Sequence, residues 1–518
     1  MKVTRNLIIG NTVYMAAGGM VAQLISLFVL PLFVGRLGSD LYGVYVLGSL
    51  FLGYIGTFSA GFNEGIQKHI SEAWAEQDWR KLAEVIASGM GILFAIGLSL
   101  GGLAFLGADL LVDFFRVDEQ FRQQSVCLLR LCGSFAVFYW PMQVTTLILR
   151  ARLRLKWISV LKMLQAVVQS VVMILSVLYF NKIYWIKTAE LAVMTVFWVP
   201  TLILALKMLP SMQWQWFRLR RVRLREMAGF SFGMMYSALL VLLTTRIDNV
   251  VIGRMLGMSA ITAYVVVSKY FYISKQYVGM LFANIMPTVY NLHAQKDTVR
   301  LERLLNRGIR YRAMISFPMA LTGLVVMRPF IKLWMGPEFL PYAVWGEAMA
   351  LIPLFTAQGL AGSVLCGTGR VRVSNIIQSL QVFLNLIISI ALTPFMGIGG
   401  PILGTLLTVV FVGDAAFYPY FCRLLGVSSR EGYVTIIKTI ACCLPPVLAG
   451  RWVVVRWGVD SWLGLVLMAG CVFGLQYLTL LFVMLDREDS RNIGSVFGQI
   501  PIIGKSLERV FLRLAKVT

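Results

Sequence analysis

Arg130, Lys162, Arg246, Lys269 and Lys275 stand inside stretches otherwise apolar enough to cross a bilayer. Charge at hydrocarbon depth is costly, so it usually turns toward a protein-lined cavity or a partner. An arginine fork can hold two oxygens of a phosphate, and a lysine supplies a mobile point charge. Arg246, Lys269, Lys275 and Arg130 are therefore candidates for contacting an anionic substrate, whereas Lys162 reads as a side chain that snorkels to an interface. At 1.5 Å per residue, Lys269 lies roughly 13 Å from one membrane face and Arg246 and Arg130 about 10–12 Å from it. Lys275 lies deeper, so the cations mark several heights. The structural alternative for Arg246 is an ion pair with Asp248, Glu347 or Asp414. Those three carboxylates are also candidates for binding a coupling proton or sodium ion, since an apolar site raises proton affinity. Glu64 is a candidate gate residue. No GxxxxGK[ST] phosphate loop is present, so coupling to an ion gradient is expected in place of ATP. Two histidines and seven scattered cysteines form no metal-ligand spacing, and no metal or cofactor is expected.

These residues are positioned by long apolar runs. Of 518 residues 58% are hydrophobic and 14% charged, too little charge to cover a soluble surface of this size. Runs near bilayer length recur throughout, about fourteen in all, so an all-α integral membrane fold is expected. The net charge of +23 follows one pattern. Arginines and lysines crowd alternate connections, including Arg150–Lys156, Arg218–Arg225 and Arg300–Arg312, and are sparse on the others. Basic loops stay in the cytoplasm during insertion, which places both termini inside and removes the need for a nucleic-acid partner. The longest opposite connection, 107–123, is acidic, with Asp109, Asp113, Asp118 and Glu119. The expected organisation is a six-helix lobe over 1–209, a basic cytoplasmic linker over 210–226 and a second six-helix lobe over 227–425. Two additional helices follow over 426–486, then a basic amphipathic tail over 487–518 suited to an anionic leaflet or to packing on the bundle.

The two lobes share a repeat. LGSDLYGVYVLGS from Leu37 and LGMSAITAYVVVS from Leu256 align in Leu-Gly, Tyr-Val and Ser positions, each with an arginine just upstream. Each joins the first and second runs of its half, which implies a pseudo-twofold relation. Such halves commonly enclose a substrate site near the bilayer midplane. With the opening TRNLIIGNTVYMAAGGMVAQLISLFVLPLFVGRLGSDLYGVYVL, the segment FNEGIQKHISE and the stretch TTRIDNVVIGRMLGMSAITAYVVVSKYF, the chain resembles the polysaccharide transporter branch of the multidrug/oligosaccharidyl-lipid/polysaccharide exporter superfamily. The resemblance implies a V-shaped bundle that opens alternately to each side of a bacterial cell membrane. It implies flipping of a polyprenyl-pyrophosphate-linked oligosaccharide, with membrane lipids and other polysaccharide assembly proteins as partners. Two other readings stand beside it. One is an ion-coupled multidrug exporter, disfavoured because interior cations would repel cationic cargo. The other is a membrane polymerase or glycosyltransferase working on the same lipid, an enzyme whose best foothold would be the acidic 107–123 connection.

Overall fold

A computed structural model describes residues 5–484, apart from 153, 181, 211–213 and most of 283–297 and 356–369, with no side chain described before Ser26. The described residues form helices and no strands. In hydrocarbon every backbone amide must find a partner within its own segment, and an α-helix is the local way to do so. The helices are α1 Arg5–Ala75, α2 Trp79–Leu106, α3 Ala108–Phe114, α4 Glu119–Ala151, α5 Leu155–Tyr179, α6 Ile183–Met208, α7 Arg221–Leu256 and α8 Met258–Phe282. They continue with α9 Thr298–Met335, α10 Ala343–Leu351, α11 Val371–Met396, α12 Gly399–Leu407, α13 Tyr418–Leu425, α14 Arg430–Trp457 and α15 Trp462–Met484. A π-helical stretch, Thr408–Phe417, joins α12 to α13. Among the described residues ten helical segments are long and apolar enough to span a membrane, or eleven when the bent α7 is counted. The chain is a multi-pass membrane protein. The expected eighth and tenth spans run into residues outside those described, and so does the amphipathic tail after 487.

The first two expected spans form one 71-residue helix, α1, kinked where Gly38 leaves helical geometry at φ 85°, ψ 165°. Gly257, between α7 and α8, adopts nearly the same conformation, φ 91° and ψ −176°. A positive φ is easy for glycine and strained for other residues. The two glycines occupy equivalent places in the sequence repeat, so the repeat is present in the backbone as well. The two connections also touch: Thr262 Oγ1 donates to the Ser39 carbonyl at 2.6 Å. A Cβ at Gly43 would strike the Met258 carbonyl, which explains the glycine there.

The chain divides into two compact units, one of residues 1–265 and 378–404, the other of 266–377 and 405–518. The first is built around Ile66, Ile70, Leu82, Val85, Leu93, Trp140 and Val144. Here α2 and α4 approach through small residues: a Cβ at Gly101 would lie 2.5 Å from the Gly133 carbonyl oxygen, and one at Gly133 would lie 2.5 Å from that of Gly101. Helices in lipid gain little from burying apolar side chains against one another, so close backbone approach at small residues supplies the packing. In the second unit α9, α14 and α15 share a core of Phe317, Leu321, Val325, Cys443, Val447 and Val472. Phe28, Leu106 and Phe395 are among many large apolar side chains left exposed, as lipid-facing surfaces require.

Candidate functional site

In the first unit α7 bends by 49° between Thr244 and Arg246. Thr244 Oγ1 donates to the Leu240 carbonyl at 2.8 Å, the back-bond to the preceding turn that tends to bend helices. Arg246 begins the second half of the helix with an exposed side chain. Asp248, two residues on, is buried at 3% exposure. Two residues turn a helix through roughly 200°, so the cation and the carboxylate part company. Tyr264 on α8 donates to Asp248 Oδ2 at 2.8 Å within that buried layer.

Tyr54 of α1 joins two kinds of surface. Its hydroxyl donates to the Arg246 carbonyl at 3.4 Å and lies in the field of both Arg246 and Asp248. Its ring helps line an apolar cavity of about 320 Å³ with Phe51, Phe58, Leu100, Leu103 and Leu111. Tyr54 therefore stands between the backbone at the α7 bend and this apolar cavity, with the Arg246 charge within electrostatic reach of its hydroxyl.

Arg130 is exposed on α4, and its Nη2 meets Asp109 Oδ2 at 2.8 Å. Arg122 bridges Asp113 in the same network and lies 4.0 Å from both Asp109 and Glu119. These pairs tie α3 to the start of α4. Glu64 is exposed on α1.

In the second unit Lys269 is half-buried on α8 and Lys275 is exposed, its ammonium 5.6 Å from the centre of the Phe271 ring. Between them Tyr270 donates to the Met319 carbonyl at 2.5 Å, fastening α8 to α9. Asp414 is 5% exposed in the π-helical stretch, with Arg312 of α9 within electrostatic reach. Its carbonyl accepts from the Tyr433 hydroxyl at 2.5 Å. Glu347 is held from both sides, by Arg328 at 3.1 Å and Arg451 at 3.5 Å, which reads as a clamp joining α9, α10 and α14.

Two ionic clusters escaped the sequence reading. Glu84, 9% exposed on α2, receives Arg220 at 3.3 Å, Arg223 at 3.6 Å and Arg80 at 3.7 Å, pinning the basic linker to the helix. Lys187 sorts with the connections when apolar runs are counted, yet it is 1% exposed on α6 and paired with Glu190 at 2.8 Å. The available signal was the i, i+3 spacing of opposite charges at the head of an apolar run.

Residues 37–344 match the model of a family described as polysaccharide biosynthesis protein. An uncharacterised membrane protein, EpsK of Bacillus subtilis, is 21% identical over 502 residues, covering 92% of this chain and 94% of the relative. The fold is similar to that of the lipid II flippase MurJ in an inward closed conformation, with TM-score 0.71 and 12% identity over 90% of this chain and 98% of that structure. It is also similar to an inward-facing multidrug resistance MATE family transporter of the MOP superfamily, with TM-score 0.67 and 13% identity over 80% and 98%.

Proposed function

The chain belongs to this family of polysaccharide biosynthesis proteins, and from that premise we propose that it flips a polyprenyl-pyrophosphate-linked oligosaccharide from the inner to the outer leaflet of a bacterial cell membrane. The exposed side chain of Arg246 at the bend of α7, whose charge reaches the hydroxyl of the cavity-lining Tyr54, supports the reading. The cargo has an anionic pyrophosphate, a polar glycan and a hydrocarbon tail. Taking the head across hydrocarbon unaided would strip its hydration, at a cost of tens of kcal/mol for ionic groups in the Born limit. Arg246 and Lys269, with Lys275, are the groups that replace that hydration. Arg130 joins them once it parts from Asp109. Each lobe, 1–209 and 227–425, moves as a helical unit during transport, and the tail of the cargo stays in the bilayer. No bond is made or broken, so no catalytic residue is assigned. Asp248 and Asp414 are the buried carboxylates available to a coupling proton or sodium ion. Glu347, the third candidate for the coupling ion, is held between Arg328 and Arg451, and Glu64 is the gate position. A small cationic drug is the less suitable cargo, because Arg246 would repel it.

The test is a flipping assay in proteoliposomes with a fluorescently labelled lipid-linked oligosaccharide. Arg246→Ala and Lys269→Ala should each slow flipping about tenfold or more, the result of losing one charge-assisted hydrogen bond of about 1.5–3 kcal/mol. Wild-type rates in both variants would overturn the assignment.

A further inference from the structure

The cluster around Lys187 lies wholly within the first unit and shares no side chain with the proposed substrate path. Its ammonium meets Glu190 Oε2 at 2.8 Å and Ser49 Oγ at 2.9 Å. The face of the Tyr45 ring covers the remaining side, with the nitrogen 4.7 Å from the centroid. An ammonium has three donors and favours an aromatic face, so this one is fully used. The carboxylate is used as well. The Tyr45 hydroxyl donates to Oε2, and Gln169 Nε2 donates to Oε1 at 3.2 Å. Helices α1, α5 and α6 each contribute, and the buried Cys132 thiol of α4 lies in the field of both charges.

The groups gathered here are notable for their kind: a carboxylate oxygen, a hydroxyl oxygen and an aromatic face meet one positive point. Carboxylate and hydroxyl oxygens are ligands of simple cations, and an aromatic face attracts an ammonium-type cation. A buried carboxylate requires a counter-charge, and removing one member of a buried pair leaves the other uncompensated. We infer that Lys187 is a tethered counter-ion occupying a monovalent-cation site made by Glu190, Ser49 and Tyr45. The first unit thus carries its own cation at this point and draws none from solution. The inference does not depend on the identity of the transported cargo.

The experiment follows thermal unfolding of the purified full-length chain in detergent, with sodium chloride or methylammonium chloride exchanged for choline chloride at constant ionic strength. Wild type should be indifferent to the exchange. Lys187→Ala should melt lower in choline and recover several degrees, saturably, in sodium or methylammonium. Lys187→Ala combined with Glu190→Gln should lose that recovery. A structural ion pair with no cation site predicts instead that Lys187→Ala melts alike in all three salts and recovers only when Glu190→Gln is added. That outcome, an equal response in all three proteins, or a wild-type response that Glu190→Gln abolishes would overturn the inference. If Lys187→Ala folds only when methylammonium is present throughout purification, the site is supported. If it folds under neither condition while Lys187→Ala with Glu190→Gln does fold, the site is rejected.

Discussion

Single charges in this chain differ chiefly in whether they are already satisfied. Arg246 and Lys269 can be recognised in the sequence because they interrupt apolar runs. Arg130 interrupts one too, yet Asp109 meets it at 2.8 Å, and no periodicity in α4 could reveal a partner 21 residues earlier on another helix. Lys187 was hidden because it stands close to the head of α6, where a charge sorts with the adjoining connection, and its burial depends on Ser49 and Tyr45 of α1, which no spacing on α6 reveals. The α3–α4 network makes a prediction at this scale. A hydrogen bond and the charge of Arg122 hold the Asp113 carboxyl below its usual range. A depressed folded-state value means that the contribution is present above the unfolded value of about 3.9 and is lost as the pH falls through the folded value. Because both side chains are solvent-accessible, the contribution is small. Melting curves from pH 7 to pH 3 should therefore show Asp113→Asn slightly less stable than wild type at neutral pH. The two curves should converge in acid, and a gap that widens in acid would contradict the pairing.

Helices bring these residues together through features the sequence shows only in part. Gly97 and Gly101 are four residues apart on α2, but that spacing does not say which helix they face. The structure sets them against Gly133 and Ala136 of α4, backbone to backbone. The bend in α7 is legible afterwards in Thr244, whose side chain competes for the Leu240 carbonyl. The glycine row gives an internal control. Gly101→Ala places a Cβ against a carbonyl that cannot swing aside, and overpacking of this kind typically costs about 1–3 kcal/mol. At the neighbouring Gly102 nothing lies within 4 Å of the same added atom. Alanine there should be neutral or stabilising by up to about 1 kcal/mol, through helix propensity alone. The thermal unfolding temperature in detergent should fall for Gly101→Ala and hold or rise for Gly102→Ala. Equal shifts would mean that α2 and α4 do not pack as described.

At the scale of the whole chain, the repeat and the helical class were readable because they are written in backbone requirements and in hydrocarbon length. Gly38 and Gly257 recur since the same positive-φ break must be made twice, and apolar runs recur since a bilayer has one thickness. The grouping of segments into compact units was not readable, since it depends on which faces meet. The direction in which the helices cross can be argued from charge and then measured. The connection from α2 through α3 to α4 carries Asp109, Asp113, Asp118 and Glu119 against Arg116 and Arg122. The turn from α1 to α2 carries Lys68, Arg80 and Lys81, and the linker into α7 carries Arg218, Arg220, Arg221, Arg223 and Arg225. Short basic loops resist translocation and acidic ones do not, so α2 should run outward and α4 inward. Counting alternately along the helices then puts the α5–α6 turn outside and the α13–α14 turn inside. In a variant freed of its seven cysteines, a membrane-impermeant thiol reagent applied to intact cells should label Asp118→Cys and leave Ser428→Cys untouched until the cells are opened. Labelling of Ser428→Cys alone in intact cells would reverse the orientation and with it the proposed direction of transport. Labelling of both would break the alternation on which the count of crossings rests.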